Sequence, residues 1–277
     1  MRPITRPTLC ALAILVGGQH AHGRDLTGES PPETTAFFSK KIVGGEPTKI
    51  RQHPWQVALY LDGSFQCGGS AIAANWIVTA AHCLADETED VKVQVKAGAD
   101  NYYDGVSIEA TNFVVHEDYD PKTYEHDVAL VRVDSTRPAA VIPLATASTQ
   151  IAIGEKLTVT GWGDTQESKE SDDGEPSNQL LKGTVPYVDN ETCNGPEAYN
   201  GEILAGMICA GSASGGTDAC QGDSGGPLTK GNNPENAILV GIVSFGDGCG
   251  RALKYGVYTR VSSEREWIMN VMSRFGD

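Results

Sequence analysis

The sequence predicts an all-β fold of antiparallel strands closed by one C-terminal α-helix. Three observations carry this. Short runs of Val, Ile, Leu, Tyr and Thr recur along the chain, punctuated by Gly, Asp and Asn. No helical period separates them, which favours an antiparallel sandwich or a pair of barrels. Only the last segment changes period, with Trp267, Ile268, Val271, Met272 and Phe275 at helical spacing.

The chain has 277 residues, enough to bury a substantial core in one large or two small domains. Arg2 and Arg6 precede an apolar run from Leu9 to Val16 and then Ala21-His22-Gly23, the pattern of a secretory signal over residues 1–23. That run is far shorter than the ~20 residues that span a bilayer. A secreted protein without a membrane partner is therefore expected. Residues 24–41 include Ser30-Pro31-Pro32-Glu33-Thr34-Thr35, with little to form a core, and read as a flexible leader. It ends in Lys40-Lys41, directly before Ile42-Val43-Gly44-Gly45, as a basic cut site would.

The strand-like runs are Trp55 to Leu61, Ser70 to Thr79, Val91 to Ala97, Asp127 to Val133, Lys156 to Thr160 and Ile238 to Phe245. Glu167 to Pro176 is a charged loop with nothing to pack. The terminal helix is expected over roughly 264–275, opened by a Ser263-x-x-Glu266 capping box, with its apolar stripe packed on the second half of the body.

Cys10 belongs to the signal; Cys67, Cys83, Cys193, Cys209, Cys220 and Cys249 remain. Six cysteines in an oxidising compartment suggest three disulfides, in any of about 15 connectivities. Zinc is disfavoured, because neither a Cys-x-x-Cys nor a His-Glu-x-x-His occurs. Net charge is −15. The first forty-one residues hold five basic and three acidic residues, leaving 16 Lys+Arg against 33 Asp+Glu beyond them. Nucleic acid is not expected to bind such a surface. The charge serves solubility or steers basic substrates.

The stretch from Asp218 to Pro227 sets Ser224 among glycines, with Asp223 directly before it. It reads either as a polar surface turn or as a nucleophile loop. A serine nucleophile needs a base, and the base needs an orienting acid. Beyond the signal the histidines are His53, His82, His116 and His126, all upstream of Ser224. That order excludes the α/β-hydrolase elbow, in which the histidine follows the serine. His, acid, Ser and acid, His, Ser remain, and the strand-rich text favours the first. Thr79-Ala80-Ala81-His82-Cys83 stands out among the candidates for the base.

At this point the chain resembles the trypsin-like, chymotrypsin-fold serine proteases. The matching pieces are Ile42 to Gly45, Thr79 to Cys83, Asp127-Val128-Ala129-Leu130, Gly161-Trp162-Gly163, Cys220 to Pro227, Ser244-Phe245-Gly246 and Gly256-Val257-Tyr258, in the family's order from Ile42 to about Val271. The resemblance implies two antiparallel six-stranded β-barrels, roughly 42–150 and 151–262, in a protease domain of residues 42–277. It implies His82 as general base, Asp127 as its orienter and Ser224 as nucleophile. The residues alone do not single out Asp127 from thirty-six acids. His126 is a rival base, but neighbouring strand residues point to opposite faces, so it should face away from Asp127. His53, His116 and His126 are read as surface or packing residues.

The resemblance further implies an oxyanion hole from the N–H groups of Gly222 and Ser224. Asp218, Ala219, Gln221, Ser244, Phe245, Gly246 and Gly256 would bind substrate, with Asp218 favouring Arg or Lys. Ala219 stands where trypsin has serine, which should favour Arg. Cutting after Lys41 would free the Ile42 amino group to pair with Asp223, making residues 24–41 an activation peptide. The implied disulfides are Cys67–Cys83, Cys193–Cys209 and Cys220–Cys249.

The loop from Ala99 to Val106 is shorter than trypsin's calcium loop and lacks an acid at Ala99, so neither metal nor cofactor is expected. Tyr255 replaces a proline and accompanies a sodium site in some relatives. Asn190-Glu191-Thr192 is a glycosylation sequon. The implied partners of this monomer are peptide or protein substrates with Arg or Lys, an activating protease and protease inhibitors. The rival class is a catalytically silent homologue that binds or inhibits, against which the intact His82, Asp127, Ser224 and Asp218 argue.

Overall fold

The computed structural model describes residues 42–275 apart from Glu89, residues 165–175 and Asn232. The expected signal and activation segments, Lys41 and nearly all of the charged loop lie outside the described residues.

Strand β1, Glu46–Pro47, is joined to the second of two barrels. The first barrel is formed by β2 (Gln56–Leu61), β3 (Ser64–Ala73), β4 (Trp76–Thr79), β5 (Val93–Ala97), β6 (Val106–Val115) and β7 (Ala129–Val133). They close in the order β2-β3-β4-β7-β6-β5, every pair antiparallel. The second uses β8 (Lys156–Gly161), β9 (Leu181–Val188), β10 (Met207–Ala210), β11 (Pro227–Lys230), β12 (Ile238–Phe245) and β13 (Gly256–Arg260). Here β9-β10-β13-β12-β11-β8 form one sheet, and β8 pairs back onto β9. The fold is thus two six-stranded antiparallel barrels, as expected.

The sequence forms these strands because alternate residues have a dry face to fill. In β5, Val93, Val95 and Ala97 are buried while Gln94 and Lys96 are half-exposed. Central strands are apolar on both sides: all six residues of β2 are buried. The continuous run Ser70 to Thr79 is two strands rather than one, because the chain turns at Ala74-Asn75 and pairs Ser70 with Val78. Gln56 Oε1 in the first barrel accepts the hydroxyl of Thr160 from the second at 2.7 Å, a buried polar tie between them.

Besides a 3-10 turn over Ile50–Gln52, two short helices were invisible in the sequence pattern. One is a 3-10 turn over Ala81–Cys83; the other is α1 (Asn190–Cys193), capped by Asp189, whose side chain accepts Thr192 N–H at 2.9 Å. The terminal helix α2 runs Val261–Arg274. It starts earlier than expected and without the capping box: Arg260 is the N-cap, makes no side-chain cap bond, and Ser263 lies inside the first turn. Strand β13 passes straight into the helix, and the carbonyls of Ala205, Gly206 and Met207 hold Arg260 at the junction. Ile268 and Val271 are buried, each stabilising the seat by about 1.5–3 kcal/mol relative to exposure. The helix also reaches the first barrel, with Phe275 edge-on to Trp76 at 5.5 Å. None of the described helices is long and apolar enough to cross a membrane.

Candidate active site

Each element end delivers one chemical group to a common cleft. Pairing of Thr79 with Ala129 aligns β4 with β7. The 3-10 turn after β4 therefore carries His82 alongside Asp127, two residues before β7. Disulfide Cys67–Cys83 ties that turn back to β3. Asp127 is fully buried. Its Oδ1 accepts His82 N–H at 2.9 Å, and its Oδ2 lies 2.8 Å from His82 Nδ1. Oδ2 also accepts the Ser244 hydroxyl at 2.5 Å, so a carboxylate out of water meets three donors. A ring whose Nδ1 faces that carboxylate carries its proton there and leaves Nε2 free to accept another.

His126 faces away from Asp127, but not for the reason the sequence suggested. Neither residue is in a strand. His126 has a left-handed backbone (φ 55°), and its ring points to Glu264. His116, His126 and Glu264 form a cluster in which the imidazoles stack at 4.5 Å, with His116 buried and His126 half-exposed. His53 is buried against Thr48 and Trp55, and burial pushes its pKa down to about 4. Of the two potential metal-binding groups among the described residues, one sets His82 beside Cys67 and Cys83, whose sulfurs are already joined in the first disulfide.

Ser224 lies in the loop between β10 and β11. Gly68 N–H of the first barrel donates to its carbonyl at 2.7 Å, and Gly225 N–H donates to Val243 O at 2.8 Å. Gly225 (φ +75°) has no room for a side chain: a Cβ there would fall 2.1 Å from Thr79 Oγ1. Gly222 (φ +86°) and Ser224 flank Asp223, whose N–H is taken by Cys220 O.

Asp223 points inward, fully buried. It accepts N–H groups from Gly163 at 2.8 Å and Cys220 at 3.0 Å, yet burial pushes its carboxyl up to about 7. Gly161 and Gly163 are glycines because a Cβ at either would run into this side chain. Ile42 is also fully buried and has a left-handed backbone (φ 53°). The next residue, Val43, bridges to Asp218.

The cleft itself encloses about 240 Å³. His82 and Ser224 line it together with Asp218, Ala219, Gln221, Ser244, Phe245, Gly246 and Gly256, which brings together all of the residues expected to bind substrate. At its floor, Asp218 is 3% exposed; Oδ2 accepts Gly250 N–H at 2.9 Å, whereas Oδ1 has no hydrogen-bond partner among the described residues. Burial pushes this carboxyl up to about 7. The hydroxyl of Tyr258 is also buried there without a hydrogen-bond partner among the described residues. Gly256 keeps the floor open, since a Cβ would sit 2.7 Å from Asp218 Oδ1. Disulfide Cys220–Cys249 closes the wall, and Cys193–Cys209 joins α1 to β10.

Sequence reasoning missed Tyr124. It lines the cleft, edge-on to His82 at 5.9 Å and tilted against Phe245 at 5.1 Å. It sits in a loop with a left-handed backbone (φ 58°), and no local pattern marks it. Tyr255 is buried, and its carbonyl accepts the Tyr199 hydroxyl at 2.6 Å.

A family model described as Trypsin matches residues 42–268. Transmembrane protease serine 11E of Mus musculus is 38% identical over 240 residues, covering 85% of this chain and 56% of that protein. Coagulation factor XII of Bos taurus is 38% identical over 245 residues, covering 82% of this chain and 39% of that protein. The chain thus aligns with about half of these curated relatives, or less.

Proposed function

This chain belongs to the trypsin family of serine proteases, and from that premise we propose that it is a secreted endopeptidase cutting after Arg, and less well after Lys. Ser224 Oγ attacks the scissile carbonyl while His82 takes its proton and then passes it to the leaving amine. Asp127 holds the ring and stabilises the imidazolium that forms. The N–H groups of Gly222 and Ser224 receive the oxyanion, where loss of one donor costs about 10²–10³ in rate.

The observation that carries this reading is the unpaired Oδ1 of Asp218 at the floor of a cleft whose mouth holds His82 and Ser224. A buried carboxylate with one open oxygen favours a cation, and a guanidinium matches it in shape as well as charge. Ala219 removes a hydroxyl that a compact ammonium would use more than a fork-shaped guanidinium does, so Arg is preferred. The net charge of −15 draws basic substrates in.

The active form arises by cleavage after Lys41. The freed Ile42 amino group pairs with Asp223, supplying the cation that this buried carboxyl otherwise lacks. Because Lys is the weaker substrate, Lys41 is cut by another protease.

Matched Arg and Lys peptides, incubated with the Lys41-cut protein, test the proposal. Faster cleavage after Arg, lost in Asp218→Ser, supports it. Folded, cut protein that hydrolyses neither peptide overturns it in favour of a silent binding homologue, and equal rates overturn the Arg preference.

A further inference from the structure

We infer that Glu264 is a positioning residue, acting through His126 and His116 to fix the backbone corner that presents Asp127 to His82. The inference rests on the reading of Asp127 given above. Glu264 lies in the first turn of α2 and is 2% exposed. A carboxylate at that depth requires donors. It meets two imidazoles: His126 Nδ1 lies 3.2 Å from both of its oxygens, and His116 Nε2 lies 3.5 Å from Oε2.

The tautomer of His116 follows from its other nitrogen. Asp118 N–H donates to Nδ1 at 3.1 Å, so the neutral ring carries its proton on Nε2, toward Glu264. Burial holds this imidazole below its ordinary pKa, which keeps it a neutral donor between the rings of His126 and Trp267. The three donor atoms are close enough to ligate a metal, within 4.8 Å of one another. His116 Nε2, however, bears a proton where a metal would need a lone pair. Protons close this triangle. The other charged groups nearby are Asp118 and Glu117, the latter accepting Trp267 N–H at 2.6 Å and acted on by Arg274.

The triangle grips both sides of the corner. His126 holds a left-handed backbone that is unfavourable in a non-glycine residue, so something must retain it there. Asp127 follows at once, and Val128 N–H folds back onto His126 O at 2.7 Å. On the far side, His116 N–H donates to Val128 O at 3.1 Å. Glu264 draws both imidazoles toward α2 and so holds the segment from which the Asp127 side chain reaches His82.

The experiment compares Lys41-cut wild type with Glu264→Gln, His126→Ala, His126→Asn and Asp127→Asn on an Arg ester substrate. Glutamine offers one acceptor where two donors converge. Glu264→Gln should lower kcat by about 10- to 100-fold with KM within about twofold, the range a misplaced catalytic group produces. His126→Ala should behave likewise, and His126→Asn, which keeps a donor and tolerates the left-handed backbone, should recover most of the loss. Wild-type kcat in Glu264→Gln would overturn the inference, even with a lowered Tm. If Glu264→Gln does not fold, equal kcat in the two His126 variants overturns it instead. Zinc ion inhibiting wild type but not Glu264→Gln would also overturn it, by making the triangle a metal site. Full activity of Asp127→Asn would refute the role of Asp127 itself, a separate failure.

Discussion

Ser244 donates its hydroxyl to the Asp127 oxygen that also faces His82 Nδ1, at 2.5 and 2.8 Å. The Asp127 carbonyl is held in turn by the Thr259 hydroxyl at 2.7 Å. The carboxylate therefore joins β12 to the turn after β4 while the main-chain carbonyl is tied to β13, so Asp127 is held from both barrels. Asp127→Asn should drop kcat by about 10⁴ with little change in KM, since the amide favours the wrong tautomer of His82. Ser244→Ala removes one bond to a charged acceptor and should cost about 10- to 100-fold. Steady-state kinetics on an Arg ester separates the two.

The buried Asp218 gives the cleft a pH dependence. Burial pushes its carboxyl up to about 7, so in the free protein it takes up a proton as pH falls through that value. A guanidinium needs the ionised form. Affinity for Arg substrates should therefore weaken below pH 7, approaching tenfold per pH unit, and substrate binding near pH 7 should release protons. Calorimetry of a guanidinium inhibitor in two buffers of different ionisation heat reads that release; none at pH 7 would contradict the account.

Asp223 makes the opposite kind of statement, about stability. Its folded pKa of about 7 stands above the ordinary 3.8, so the folded uncut chain binds more protons than the unfolded one between those values. This contribution makes the uncut protein less stable as pH rises across that window. His53, pushed down to about 4, opposes it, because its contribution is lost as pH falls below 6.5. Comparing Asp223→Asn with wild type isolates the first effect. The wild-type Tm should fall from pH 5 to pH 8 relative to the variant, and this difference should vanish after cleavage at Lys41.

The Asn190 sequon is engaged structurally. Its side-chain amide donates to Leu204 O at 3.1 Å and Met207 O at 3.2 Å, while its oxygen accepts from Arg260 at 3.2 Å. A glycan on that nitrogen would break the set. Protein made in a eukaryotic host should show no glycosidase-sensitive mass at Asn190, and Asn190→Ala should lose about 0.5–1.5 kcal/mol, because Leu204 O keeps the Met207 N–H and Met207 O keeps Arg260.

The barrels were legible because alternate burial writes itself into strands such as β5, and turn residues mark their ends. The start of α2 was not, since the strand before it delivers the chain already committed and no capping side chain is needed. At the site, the position of every histidine before Ser224 narrowed the catalytic order from residue chemistry alone. Asp127 emerged only through resemblance, because its contact with His82 spans forty-five residues. Tyr124 and Glu264 left no trace: one depends on a loop conformation, the other on a contact across 138 residues.

Covalent labelling tests the central claim most directly. The Lys41-cut protein, treated with a serine-directed phosphonate carrying an Arg-like side chain, should take up one label per molecule, mapped by peptide mass spectrometry to Ser224. The uncut chain and a cut His82→Ala variant should label far more slowly. Folded, fully cut wild type that takes no label on Ser224 would contradict the reading of this cleft as a protease active site.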